Sequence, residues 1–138
     1  MNITEDYVSF EVAKLLKEKG FDVPCFAYYY VMPHKTVIAY DKDFPKNSDL
    51  CLIYANMEFG SLPTLQMAMK WLREIYKIEA RSTYDYEKDS WWGNINPMFE
   101  ETDENSDIYQ KAFGFDYQGK SYEEACEAAI KYCLENLI

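Results

Sequence analysis

Three stretches of the chain repeat apolar residues every three or four positions, which is the pattern of an amphipathic helix. The first stretch follows Ser9, a residue type that caps helix N-termini, and stops at Gly20. The second follows Pro63, and the third follows the capping-box sequence Ser121–Glu124 and continues to the C-terminus. The pattern therefore predicts three helices whose apolar faces pack on a core.

Aromatic and β-branched runs between these helices predict strands. Residues 25–31 and 36–40 stand at hairpin distance, and residues 50–54 are a further candidate strand. Residues 78–84 alternate apolar and polar positions, and residues 113–117 precede the third helix. The order α-β-β-(β)-α-β-β-α predicts one α+β domain spanning the whole 138-residue chain, with three helices packed on a mixed or antiparallel sheet of four to five strands.

The segment at about residues 85–110 shows neither the helical nor the strand pattern of apolar residues, and we predict a long loop there. Residues 85–107 hold eight acidic residues and one lysine, so this segment carries −7 of the chain's net charge of −10. It also contains Trp91, Trp92 and Asn94 in one short run. Indole rings beside an amide side chain are typical of surfaces that bind a protein partner or the flat face of a sugar. These three residues are therefore the candidate binding residues.

Other interpretations of this acidic, aromatic segment stay open. A tryptophan can fold back to cover the core beneath the loop, and the acids can form a merely solvated surface. A third interpretation is that the acids bind a basic partner or imitate a nucleic acid, which predicts that they lie along one rigid ridge.

Charge and composition narrow the classes of partner. With 24 acidic and 14 basic residues, the chain is not expected to bind nucleic acid through its phosphates or to adhere to an anionic membrane. No run approaches the roughly 20 apolar residues of a membrane span, and the N-terminus lacks the layout of a secretory signal. We therefore expect a cytoplasmic protein, in which the four cysteines are buried free thiols.

The sequence holds no catalytic motif. The only histidine, His34, lies in a predicted hairpin turn, which leaves no multi-histidine metal site within one chain. The acidic runs 41–43 and 103–107 lack the glycine and glutamate spacing of a calcium loop, and no phosphate-binding glycine motif occurs. We predict no catalytic residues, metal or cofactor, although a carboxylate pair for glycoside hydrolysis stays open because its geometry is three-dimensional. The sequence therefore favours a protein that is not an enzyme.

The segments Ser9–Asp22, Pro63–Glu74 and Ser121–Ile138 resemble a family of small uncharacterised proteins of gut Bacteroidales and their phages and prophages. The resemblance covers the three predicted helices and implies a phage-related or mobile-element setting and a cytoplasmic product. It assigns no site residues. Our leading hypothesis is a non-enzymatic accessory protein that binds another protein through the segment around Trp91 and Trp92. The alternative is a domain that binds or hydrolyses a small ligand or carbohydrate in a cleft of carboxylates and aromatics.

Overall fold

The computed structural model describes residues 4–138, which form five helices and six strands. In chain order these elements are α1 (Phe10–Glu18), β1 (Ala27–Met32), β2 (Lys35–Tyr40), α2 (Asn47–Tyr54), β3 (Phe59–Leu62), α3 (Leu65–Tyr76), β4 (Ile78–Asp85), β5 (Ser90–Pro97), α4 (Ser106–Phe113), β6 (Tyr117–Gly119) and α5 (Tyr122–Asn136).

The contacts group the chain into two compact units, Tyr7–Thr64 and Leu65–Ile138, the second together with the segment that ends at Asp6. Each unit has its own three-stranded antiparallel sheet, in the orders β2-β1-β3 and β4-β5-β6. The predicted α+β class is confirmed, but the predicted single sheet with three helices is wrong in detail. Tertiary contacts decide which strands pair, so the local pattern did not reveal two sheets.

In the unit Tyr7–Thr64, α1 packs against the sheet and begins as predicted. The Ser9 hydroxyl accepts a hydrogen bond from the Val12 N–H at 3.2 Å, and Gly20 adopts a φ of +90° after the helix ends. The Tyr29 side chain is buried beside the Phe10 ring, with the ring centroids 5.2 Å apart. Its neighbours Tyr28 and Tyr30 contact the ring of Tyr54 instead, as the alternation of side chains along a strand requires.

Residues 50–54, which the sequence predicts as a strand, belong to α2. The Lys46 N–H donates to the Asp49 carboxylate at 2.9 Å, which supports the first turn of this helix. Leu50 is buried, whereas Leu52 and Ile53 are exposed. A run of five apolar and aromatic residues is too short to separate the helical period from that of a buried strand, which explains the wrong prediction.

In the unit Leu65–Ile138, α5 packs across β4, β5 and β6, and α3 packs on β4 and α5. The Ser121 hydroxyl accepts from the Glu124 N–H at 3.1 Å, as the capping box predicts. A standard capping box would have the Glu124 carboxylate accept from the N–H of Ser121. Here it accepts from the N–H of Lys120 instead, at 2.9 Å. The core-facing residues of α5 include Ala129, Ile130 and Leu134, all buried. The predicted third helix is thus a core element.

The predicted loop at about 85–110 is wrong, because most of it is regular structure. β4 continues to Asp85, residues 86–89 form a turn, and β5 follows, so that only residues 98–105 before α4 are irregular. The predicted strand 113–117 is also displaced, since Phe113 ends α4 and β6 begins at Tyr117. The small and polar residues of β5 hid its two-residue period from a pattern search based on apolar side chains.

The cysteines are all free thiols, and three of them are buried. Burial raises the pKa of the Cys25 thiol to about 11 and that of Cys133 to about 12. Cys51 is exposed, contrary to the expectation of four buried thiols, because its segment is α2 rather than a strand.

Among residues 4–138, no helix has both the length and the apolar character needed to cross a bilayer.

Candidate functional site

β5 carries all three candidate binding residues. Trp91 stands opposite Tyr84 of β4 and Trp92 opposite Thr83, so the two indoles project to opposite faces of the sheet. Asn94 lies on the same face as Trp92. The structure therefore brings Trp92 and Asn94 together and separates Trp91 from them.

Trp91 lies on the face of the sheet that α5 covers. Its ring centroid is 5.0 Å from that of Tyr84 and 5.5 Å from that of Tyr122, with the Tyr122 ring edge-on. The residue is half-buried. These contacts are those of a side chain that packs a sheet against a helix, which is the open interpretation in which a tryptophan covers the core.

Trp92 is anchored at the β4–β5 turn. Its indole Nε1–H donates to the Asp85 carboxylate at 2.9 Å, and the Lys88 ammonium lies 5.5 Å from its ring centroid. The Trp92 hydrogen bond, with weaker support from the backbone N–H groups of Lys88 and Glu87, lowers the pKa of Asp85. The indole edge is therefore occupied within the chain rather than free for a ligand.

Asn94 is held in the polar face of the sheet. Its side-chain amide donates to the Thr83 hydroxyl at 2.9 Å and lies 3.3 Å from the Trp92 carbonyl. By strand register, the residues on this face are Glu79, Arg81, Thr83, Asp85, Ser90, Trp92, Asn94, Asn96 and Gln118. The face away from α5 is thus polar, with Trp92 as its one large ring.

The outer edge of β5 is only partly covered. β6 pairs with Trp91, Trp92 and Gly93 and with no residue beyond them. On the other side, the Met98 N–H donates to the Lys77 carbonyl at 2.7 Å, which fixes the alternation of hydrogen-bonded pairs along β4 and β5. By that alternation, Ile95 directs its N–H and C=O away from β4, past the end of β6. Within residues 4–138, neither group has a hydrogen-bond partner outside the sheet.

A cavity of about 420 Å³ opens beside this edge. Strand β5, helix α4 and the residues that follow α4 form its walls. The lining residues are Arg81, Gly93, Asn94, Ile95, Asn96, Pro97, Tyr109, Ala112, Phe113 and Phe115. Phe113 is 88% exposed, a large solvent contact for a phenylalanine. We call this feature the β5 groove.

Hydrogen bonds and ring contacts fix α4, the far wall of the β5 groove. The Tyr109 hydroxyl donates to the carbonyl of Phe99, and the two rings meet edge to face at 5.7 Å. The Tyr132 hydroxyl of α5 donates to the Lys111 carbonyl at 2.8 Å, and the Tyr132 ring lies 4.9 Å from that of Phe115. These contacts join α4 to the segment before it and to α5.

Of the residues that line this groove, the sequence pointed to Asn94 as a candidate binding residue and to none of the others. Ile95 is a single apolar residue between two asparagines, and Phe115 belongs only to the short run 113–117, so neither lies in a long periodic run. The available signal was the alternation of Trp91, Gly93 and Ile95 with Trp92 and Asn94, which indicates a strand. The uncovered edge is a backbone property that no residue type reveals.

The acidic residues of the predicted loop divide between two places. Three lie at or beside the β4–β5 turn, and five lie between Glu100 and Asp107, before or at the start of α4. In the part of the chain that the structure describes, no group of three or more histidine, cysteine or acidic side chains is placed to hold a metal ion. His34 is exposed in the turn between β1 and β2, where the sequence placed it.

We compared the chain with protein-family models, with curated proteins and with solved structures, and none of them matches it.

Proposed function

We propose that the protein is a peptide-binding module that takes up an extended segment of a partner protein in the β5 groove. The observation that carries the proposal is the outward-directed N–H and C=O of Ile95 beside a cavity that both polar and apolar side chains line. An extended peptide that lies along a free sheet edge satisfies such groups as an added strand, and side-chain pockets give specificity. The phage-related and cytoplasmic setting that the resemblance implies is part of the proposal, and so is the non-enzymatic role that the sequence favours because it holds no catalytic motif.

The groove favours a peptide with alternating character. In an added antiparallel strand, the residue opposite Ile95 projects to the same face as Ile95. That face carries Phe115, whose ring packs against Tyr132 of α5, so an apolar side chain fits there. The residues before and after it project toward the face of Arg81 and Asn94, which suits polar side chains. We infer an apolar anchor flanked by polar residues.

A small ligand is the second candidate, because 420 Å³ lies within the usual range of roughly 300–1,000 Å³ for ligand pockets. The lining of the β5 groove contains neither tryptophan nor any carboxylate. Stacking of a sugar on indole and hydrolysis by a carboxylate pair therefore have no support from this cavity. The ligand that the cavity favours is a compact molecule with an apolar side and with acceptors for Arg81, Asn94 or Asn96.

The test uses peptides selected against the wild-type protein from a displayed library of random sequences. Ile95→Pro removes the outward N–H and leaves the β4–β5 ladder intact, since proline is tolerated on a sheet edge. We expect Ile95→Pro to weaken peptide binding by about tenfold or more, because a strand hydrogen bond is lost and the ring obstructs the edge. Calorimetric titration measures the change.

Ile95→Val is the matched control, because it keeps the β-branched shape and the N–H, and we expect it to bind within about threefold of wild type. Far-ultraviolet circular dichroism confirms that both variants fold. The proposal fails if no peptide is enriched above background, or if folded Ile95→Pro binds the selected peptide as tightly as Ile95→Val. Direct calorimetric binding of a small amide, without enrichment of any peptide, would favour the second candidate.

A further inference from the structure

Strand β2 forms one edge of the sheet β2-β1-β3 in the unit Tyr7–Thr64. Its residues Thr36–Tyr40 contain no charge and no proline, the two devices by which proteins usually protect an exposed edge. Ile38 is 48% exposed and Tyr40 is 58% exposed. The segment Thr36–Tyr40 of β2 therefore forms an edge without these devices, with apolar side chains in solvent and with Lys35 as the one charge of the strand.

The hydrogen-bond pattern shows which backbone groups this edge offers. The Asp41 N–H donates to the Phe26 carbonyl at 2.9 Å, so Asp41 directs its backbone groups toward β1. Because such pairs alternate in an antiparallel ladder, Thr36, Ile38 and Tyr40 direct theirs outward. Among the residues that the structure describes, no backbone hydrogen bond from outside the sheet reaches these three residues.

We infer that two copies of this chain associate by antiparallel pairing of their β2 strands, centred on Ile38. With the two-fold axis at Ile38, each Thr36 stands opposite Tyr40 of the second copy. This is the one register in which all three outward-directed residues meet outward-directed residues, which forms six hydrogen bonds across the axis. The β2-β1-β3 sheets of the two copies then join into a single six-stranded sheet.

Charge complementarity identifies a second copy as the partner. In this register Lys35 of one copy lies opposite Asp41 of the other, and the symmetry repeats the ion pair on both sides of the axis. A shift by two residues places Ala39 or Asp43 opposite Lys35, and it leaves one outward-directed residue of each copy without an outward-directed partner. The backbone groups therefore select the register centred on Ile38, and the Lys35–Asp41 ion pairs are compatible with it.

Side chains on the α1 side of the sheet extend the contact. Ile38 meets Ile38 of the second copy on the axis, and Tyr40 belongs to a group of exposed rings. The Tyr40 centroid lies 5.3 Å from Phe26 and 6.4 Å from Tyr7, and Phe26 lies 5.8 Å from Phe44. Pairing brings the rings of the two copies to opposite ends of one apolar strip, which supplies the burial that a two-fold interface needs.

Charge reversal tests the dimer with the full chain. Sedimentation analysis of the wild type at up to about 0.5 mM should give twice the mass of the chain, since this range covers dissociation constants from micromolar to submillimolar. Lys35→Glu places like charges across both ends of the interface, and we expect it to weaken the dimer about tenfold or more. The double variant Lys35→Glu/Asp41→Lys restores opposite charges and should recover most of that loss.

Lys14→Glu on α1 is the control for net charge, because Lys14 is exposed and lies outside the proposed interface.

A second experiment tests the register of the two β2 strands by disulfide trapping in a Cys51→Ser background. Ile38→Cys should cross-link under mild oxidation, since residues on the axis have Cα atoms about 5.5 Å apart, within disulfide range. Tyr40→Cys should not, because its two copies lie about 13 Å apart along the strands.

A monomeric wild type over the whole concentration range would overturn the inference. Equal weakening by Lys35→Glu and Lys14→Glu, or equal cross-linking by the two cysteine variants, would overturn the register centred on Ile38.

Discussion

Replacing Asn47 by alanine should lower the free energy of unfolding by about 2–4 kcal/mol, because two buried backbone groups lose their partners. The Asn47 side-chain amide donates to the Phe21 carbonyl at 2.8 Å, and its oxygen accepts from the Ser61 N–H at 2.9 Å. The residue is only 8% exposed, so water cannot easily replace these bonds. Urea unfolding followed by circular dichroism measures the loss.

Asn105 offers a control of the same chemical type. Its side chain also bonds two backbone groups, since it accepts from the Thr102 N–H at 2.6 Å and donates to the Glu100 carbonyl at 2.8 Å. Both bonds lie near the surface, where water replaces the lost partner, so we expect Asn105→Ala to cost less than about 1 kcal/mol. Equal losses for the two variants would contradict the view that Asn47 acts by satisfying buried groups.

Replacing Gly93 by alanine should both destabilise the unit Leu65–Ile138 and abolish peptide binding in the β5 groove. A Cβ at position 93 would lie 2.8 Å from the Phe115 ring and 3.1 Å from the Ala125 carbonyl oxygen of α5. The helix must shift by a few tenths of an ångström, and the ring must leave its place for the cavity that it lines. Overpacking of this kind costs about 1–3 kcal/mol.

Gly114→Ala is the matched control for Gly93→Ala, since a Cβ at position 114 meets no atom closer than 3.5 Å. We expect it to keep the stability of the wild type within about 1 kcal/mol and to keep peptide affinity within about threefold. Thermal unfolding and calorimetric titration give both quantities for each variant. If Gly93→Ala binds the selected peptide like Gly114→Ala, then Phe115 does not form the wall of a functional groove.

Local signals in the sequence predicted the elements whose stabilising contacts are local. The caps at Ser9 and Ser121 and the alternation in residues 78–84 depend on neighbours within four residues, and α1, α5 and β4 appear where those signals lie. The strand prediction for residues 50–54 was wrong because only one side of this segment is buried. The segment is also too short to separate the helical period from the strand period. Its helix is supported by the contacts of Asn47 with Phe21 and Ser61, which are distant in sequence.

The candidate site was predictable only in part. Trp91, Trp92 and Asn94 stand out by type as aromatic and amide side chains in an acidic run, and they lie on β5, although the sequence predicted a loop there. The β5 groove beside them depends on where β6 ends and where α4 packs. Both are tertiary facts: Tyr109 reaches the Phe99 carbonyl, and Gly93 admits the Phe115 ring. In the sequence, such close packing is visible only as a single glycine and a few isolated aromatic residues.

Amide hydrogen exchange at Ile95, measured by NMR with and without a selected peptide, tests the central claim most directly. Ile95 directs its N–H to the open edge, so an added strand should slow its exchange by about tenfold or more. The N–H groups of Asn94 and Asn96 already point toward β4, and their exchange should change much less. Slower exchange at Ile95 with little change at its two neighbours is the predicted result. Saturating peptide that leaves the exchange of Ile95 unchanged would contradict strand addition at this edge.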